Sequence, residues 1–214
     1  MPLSPTLFPT LINSVTETIA AHAEAVTELD QAIGDGDHVF NLQRGLQALQ
    51  TNSADIAELD WPEAWHKIGM LIMSSVGGAS GSLYATLFIS LHKQSKEKNI
   101  DLQSFAEVFA LAVDAVKQRG KADVGEKTML DVLVPVAKTL KLDVAAGKAL
   151  PEILDHVCET AAAGMEATRE MLATKGRASF LGERSIGHID AGAKTAQLMI
   201  EAVVGVIKKA VFAN

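Results

Sequence analysis

The sequence predicts an all-α protein. Apolar residues recur at spacings of three and four along nearly the whole chain, the period of a helix face. No segment alternates between apolar and polar residues as a half-buried strand does. Aromatic residues make up only 5% of the 214 positions, few for a sheet protein. The chain is 48% hydrophobic and 21% charged, an ordinary globular composition with enough length for a sizeable core. No low-complexity linker divides it, so residues 1–214 read as a single domain.

Punctuation and periodicity place eight helices, at 6–28, 38–51, 61–76, 80–94, 102–118, 127–143, 150–175 and 191–210. Ser4-Pro5 opens the first, a cap followed by proline, and Leu11, Val15, Ile19, His22 and Val26 form its stripe. Asp60-Trp61-Pro62-Glu63 opens the third in the same manner. Phe105, Val108, Phe109, Ala112 and Val116 mark the fifth, and Ile153, Val157, Ala161, Met165, Thr168 and Leu172 the seventh. Short connections favour antiparallel neighbours, hence an up-and-down bundle.

Four loops are rich in glycine, aspartate or small residues. They are Gly34-Asp35-Gly36-Asp37-His38, Gly77-Gly78-Ala79-Ser80-Gly81-Ser82, Arg119 to Gly125, and Gly176-Arg177-Ala178-Ser179 through Gly187-His188-Ile189-Asp190. They fall after the first, third, fifth and seventh helices. In an alternating bundle all four therefore lie at one end and build one composite site.

The net charge of −7 argues against non-specific nucleic-acid binding, which needs a basic surface. Cys158 is the only cysteine, so an intramolecular disulfide is impossible and a reducing, cytoplasmic setting is the simple reading; its helical pattern marks it as a packing residue. The N-terminus has no basic segment of a signal peptide, and no apolar run reaches the ~18 residues of a membrane span.

Charge is unevenly placed. The first 43 residues hold no Lys or Arg but carry Glu17, Glu24, Glu28, Asp30, Asp35 and Asp37. Asp30, Asp35 and Asp37 lie within eight positions at a helix–loop–helix junction. Carboxylate oxygens suit a hard cation such as magnesium, and Gly34 and Gly36 let the backbone fold tightly enough for them to converge. The competing reading has Asp37 capping the second helix and the others solvated. It is no EF-hand, because counting from Asp35 the twelfth position is Leu46 rather than Glu.

The other loops complement that wall. Gly77 to Ser82 precedes an apolar helix, so its amides suit an anion, with close helix packing as the alternative. Gly120 to Thr128 nearly spells a P-loop, but Glu126 separates Gly125 from Lys127 and no strand precedes it, so that assignment fails. Arg177 could fork onto phosphates or stand solvated, and Asp190 could contact a ligand or cap the last helix. His38 follows the aspartates and suits a phosphate or supporting role; His22, His66, His92 and His156 fall in helical patterns.

Together these motifs resemble a known family. Gly34-Asp35-Gly36-Asp37-His38 with Asn41, Ser74 to Gly81, Arg119-Gly120-Lys121 with Gly125 and Lys127-Thr128-Met129, and Gly176 to Ser179 with Gly182 to His188 resemble the nucleotide-binding L subunit (DhaL type) of bacterial dihydroxyacetone kinase. The likeness runs along almost the whole chain. It implies a closed up-and-down barrel of eight antiparallel helices with ADP or ATP at one end. Asp30, Asp35 and Asp37 would hold two magnesium ions. His38, Asn41, Ala79 and Ser80 would lie near the phosphates, and Gly120, Met129, Arg177, Asp190 and Gly192 would border the nucleotide. No catalytic base is assigned to this chain.

The implied activity is phosphoryl transfer to dihydroxyacetone held on a partner K subunit, with ADP recharged by a phosphohistidine carrier, the M subunit of the phosphotransferase system. The alternatives are an ATP-dependent ketose kinase subunit and a nucleotide-dependent adaptor acting on a transcription regulator. Two positions depart from the family pattern. Val39 stands where glycine is usual and is expected near the phosphates; Ala191 stands where proline is usual.

Overall fold

The computed structural model describes residues 4–212. They form helices and loops, and no strand occurs among them. After a 3-10 turn at Pro5–Leu7 the helices are α1 (Phe8–Ala21), α2 (Ala23–Ile33), α3 (His38–Thr51), α4 (Ser53–Ala57) and α5 (Trp61–Ser75). They continue as α6 (Gly78–Ser95), α7 (Leu102–Gly120), α8 (Leu130–Ala145), α9 (Leu150–Ala167) and α10 (Ala191–Phe212).

Helix starts follow local chemistry. The Asp60 carboxylate accepts from the Glu63 amide at 2.9 Å with Pro62 in the first turn of α5. Asp101 and Ser104 form a reciprocal capping box at α7. Each helix then buries one stripe. Ile19, Val26, Ile56, Val108, Val113, Val116, Leu130, Val132 and Ile153 are almost fully buried in a common core. Packing neighbours follow chain order: α3 on α5, then α5 on α6, α6 on α7, α7 on α8, α8 on α9 and α9 on α10. Helix α1 packs on both α3 and α10.

Aromatic rings pin the helix ends remote from the four loops. Phe8, at the start of α1, meets Trp61 edge-on at 5.5 Å between centroids, and Trp61 lies 5.4 Å from Trp65. Trp65 in turn lies 6.2 Å from Phe105, near the start of α7.

The element boundaries differ from the expected ones in four places. The expected helix 6–28 breaks at His22, whose exposed ring bonds the Thr18 carbonyl at 2.9 Å, and the chain restarts as α2 through Ile33. The short α4 falls in what reads as a connection. Helix α8 starts at Leu130 rather than 127, because Lys127 adopts a left-handed φ of 60°. Helix α9 ends at Ala167 rather than 175: the Thr168 hydroxyl bonds back to the Met165 carbonyl, and a 3-10 turn, Thr168–Glu170, leads out to extended Met171. Among the described residues no helix is long and apolar enough to cross a membrane.

Candidate functional site

The end of α2 and the start of α3 bring three carboxylates together. One oxygen from each of Asp30, Asp35 and Asp37 lies within 4.8 Å of the others. Two glycines make this turn possible. Gly36 has φ +76°, and a Cβ on Gly34 would strike the Asp30 carboxylate. Asp30 is braced, since its Oδ2 accepts from the His38 amide at 3.1 Å. Close like charges repel unless a cation bridges them, and three hard oxygens are the donor set magnesium takes. The side chain of Arg177, carried by the Arg177–Ser185 3-10 stretch, supplies one counter-charge, with Nε 2.9 Å from Asp35 Oδ2.

The N-terminus of α6 faces this cluster across a shared cavity. Its N-cap is Gly77, with no capping side chain, so the first-turn amides of Gly78, Ala79 and Ser80 are unspent. That is an anion-binding geometry. Asn41 lies against Gly77, where a Cβ would come within 2.5 Å of its Oδ1. Arg44 donates to Asn41 Oδ1 at 3.2 Å and to the Ser75 carbonyl at 2.6 Å, tying α3 to the end of α5. His38 links two walls: its Nδ1 meets Ser80 Oγ at 3.1 Å and its Nε2 meets Thr195 Oγ1 at 2.9 Å. Burial pushes the His38 imidazole below the usual histidine range, while Asp30 and Asp37 oppose that shift.

The remaining wall comes from the 120–130 loop and the start of α10. Asp131 is 2% exposed and organises the loop, its two oxygens accepting from the Gly125 amide at 2.5 Å and the Thr128 amide at 2.7 Å. Asp190 caps α10 through the Ala193 amide at 2.7 Å. Burial pushes its carboxyl up to about 7; the Ala193 amide and the Lys127 ammonium pull the other way, and Asp131 and Asp30 add to the rise. Gly192 fits tightly, since a Cβ there would lie 3.0 Å from Asp190 Oδ2.

The three aspartates, His38, Asn41, the first turn of α6, Arg177, Asp190 and Gly192 line one cavity of ≈ 680 Å³, a volume suited to a nucleotide-sized ligand. It collects Asp30, Asp35, Asp37, His38, Asn41, Ala79, Ser80, Gly120, Met129, Arg177, Asp190 and Gly192, so each candidate residue from the sequence borders it. Val39 does not. It is 4% exposed and packs in the core, because the first turn of α3 points it away from the cavity that His38 enters. The expectation that it crowds the ligand is therefore corrected. Ala191 does line the cavity, at the first position of α10.

Sequence reasoning passed over Thr195, Thr168 and Asp131, and gave Lys127 no role. Thr168 falls in the packing stripe of the seventh helix, and Thr195 falls inside the eighth helix with no motif around it. Lys127 lies inside the P-loop-like segment Gly120 to Thr128 and Asp131 just past it, and that likeness was the one available signal.

Residues 32–205 match the family model described as the DAK2 domain. The chain belongs to the DAK2 domain family. It is 38% identical over 193 residues to the ADP-binding subunit DhaL of PEP-dependent dihydroxyacetone kinase 1 from Listeria innocua, covering 90% of this chain and 92% of that one. It is 37% identical over 202 residues to the corresponding Escherichia coli subunit, covering 94% and 96%. The dihydroxyacetone kinase of C. freundii, solved with AMP-PNP and Mg2+, shares the fold at a TM-score of 0.73 and 22% identity. This DAK2 chain is covered over 96% of its length but spans only 34% of that larger kinase.

Proposed function

We propose that this DAK2 chain is the ADP-binding subunit of a PEP-dependent dihydroxyacetone kinase. The observation that carries this is the cavity in which the Asp30–Asp35–Asp37 cluster faces the uncapped start of α6. It lies in a chain matching ADP-binding subunits over nearly their whole length. ADP is charged by a phosphohistidine carrier M subunit. The phosphoryl group then passes to dihydroxyacetone on a partner K subunit. The whole chain acts as one domain in the cytoplasm, and its ring of helix neighbours is read as a closed eight-helix barrel.

Magnesium, as two ions, would supply charge neutralisation for the phosphates. Asp30, Asp35 and Asp37 would hold it. The amides of Ala79 and Ser80, the Asn41 side chain and the Ser80–His38–Thr195 chain of hydrogen bonds would orient the phosphates. Arg177 would exchange its bond to Asp35 for a phosphate oxygen. Gly120, Met129, Asp190 and Gly192 would border the rest of the nucleotide. The acceptor hydroxyl and its base would come from the partner, which the open mouth of the cavity admits.

The test is the nucleotide carried by the purified protein. Near-stoichiometric ADP surviving gel filtration, and labelled phosphate reaching it from a phosphohistidine carrier but not from exchange with ATP, supports the proposal. An empty site turning over ATP with the partner sinks the carrier step and leaves an ATP-dependent kinase, the reading favoured by the AMP-PNP complex of the related larger enzyme.

A further inference from the structure

Lys127 is a lysine with 1% of its surface exposed, in a loop that borders the candidate cavity. Its left-handed backbone, φ 60°, is a conformation that side-chain-bearing residues adopt sparingly. It turns the side chain inward. The ammonium donates to the Thr168 carbonyl at 2.5 Å and to the His188 carbonyl. Neither carbonyl lies in a continuing α-helix: Thr168 begins the turn after α9, and His188 precedes the cap of α10.

These two segments are already stitched together. Thr168 Oγ1 accepts from the Asp190 amide at 3.1 Å, and the Gly187 amide donates to the Arg169 carbonyl at 2.8 Å. Burial pushes the Lys127 ammonium below the usual lysine range, and the neighbouring Asp190 carboxylate opposes that shift. Burying an ammonium is costly, and an apolar side chain of equal length would fill the same volume. What methionine could not do is hold two carbonyls from separate segments behind the Asp190–Gly192 wall.

We propose that Lys127 is the positioning residue of the nucleotide site, its ammonium clamping the Thr168 and His188 carbonyls so that Asp190, Ala191 and Gly192 stand in their binding geometry. It acts through that wall rather than on the reacting phosphate. The inference rests on the reading of the cavity as a nucleotide site.

The experiment compares the parent protein with Lys127→Met and Lys127→Arg. Three quantities are measured on protein stripped of bound nucleotide: ADP affinity by calorimetry in saturating magnesium, hydrogen exchange at the Asp190 and Gly187 amides without nucleotide, and, in the assembled carrier-driven kinase, the rate at saturating ADP (kcat) and the ADP concentration that restores half of it (KM). Lys127→Met should weaken ADP binding by on the order of tenfold or more. It should also speed exchange at both amides and raise KM with kcat at saturation little changed. If Lys127→Met does not fold, Lys127→Arg carries the test, because a planar fork cannot replace a compact ammonium between two carbonyls. A folded variant with parental affinity and exchange overturns the proposal. So does a fall in kcat at unchanged KM, or failure of both variants to fold, which would make Lys127 a general stability residue. If the parent binds no ADP, the nucleotide reading fails, and exchange at Asp190 alone decides whether Lys127 positions that wall.

Discussion

Replacing Gly34 with alanine puts a methyl group where the Asp30 side chain and backbone already are. The added Cβ would lie 2.8 Å from the Asp30 carbonyl oxygen, 3.1 Å from its Cγ, and closer still to Oδ1. The carbonyl cannot retreat cheaply, because it accepts the Gly34 amide at 2.5 Å in the last turn of α2. Overpacking of this kind costs about 1–3 kcal/mol. For a chain of this size that lowers Tm by roughly 2–12 °C, at about 2–4 °C per kcal/mol. Rotation of the Asp30 side chain is the easier relief. It removes one oxygen from the carboxylate cluster and breaks the 3.1 Å bond from the His38 amide. Loss of one metal ligand should weaken magnesium–ADP binding at least about tenfold, equivalent to about 1.4 kcal/mol. Calorimetry with ADP and magnesium, beside a thermal melt followed by far-UV circular dichroism, measures both effects. Gly205→Ala in α10 is the control: nothing lies within 4 Å of its Cβ, so affinity should hold and stability should rise by roughly 0.5–1 kcal/mol. A folded Gly34→Ala protein that binds magnesium–ADP as tightly as the parent would refute the reasoning.

Two further outcomes are expected. The Asp190 carboxyl, raised to about 7 in the folded chain from an ordinary 3.8, binds its proton more tightly folded than unfolded. Its contribution to stability is therefore fully present below about pH 4 and is lost as pH rises through 7, by about 4 kcal/mol at most. Asp190→Asn keeps the α10 cap and should flatten that part of the pH–stability curve in nucleotide-free protein; an unchanged slope between pH 5 and 8 in urea melts would contradict the assignment. Arg177 and Asp35 form an ion pair with side chains 73% and 35% exposed, so Arg177→Gln should change stability by less than about 1 kcal/mol. Removing that competing cation should raise the magnesium affinity of nucleotide-free protein, and an unaltered affinity in a titration would place the pair outside the metal site.

Much of the fold was legible because helix periodicity is a strong local signal. The stripe Ile153, Val157, Ala161 turns to the core as its spacing requires. Boundaries set by single side chains were not legible. Nothing in the order of residues reveals that the His22 ring bonds Thr18, or that Lys127 turns left-handed and delays α8. The candidate site was legible where chemistry clusters in sequence, as in the three aspartates and the small-residue start of α6. It was hidden where the partner lies far along the chain. Thr195 meets His38 from 157 positions away, and Lys127 reaches His188 across 61. Val39 shows the limit of family likeness, since the residue after a motif histidine lies about 100° around the helix and turns into the core rather than the cavity.

The central claim is that Asp30, Asp35 and Asp37 hold magnesium on a bound nucleotide. A crystal structure of the protein grown with ADP and magnesium tests it most directly. The account predicts metal density bonded to oxygens of all three aspartates at about 2.0–2.1 Å, shared with phosphate oxygens, and phosphates at the amides of Ala79 and Ser80. Phosphates seated elsewhere, or a metal that leaves these carboxylates unligated, would contradict it.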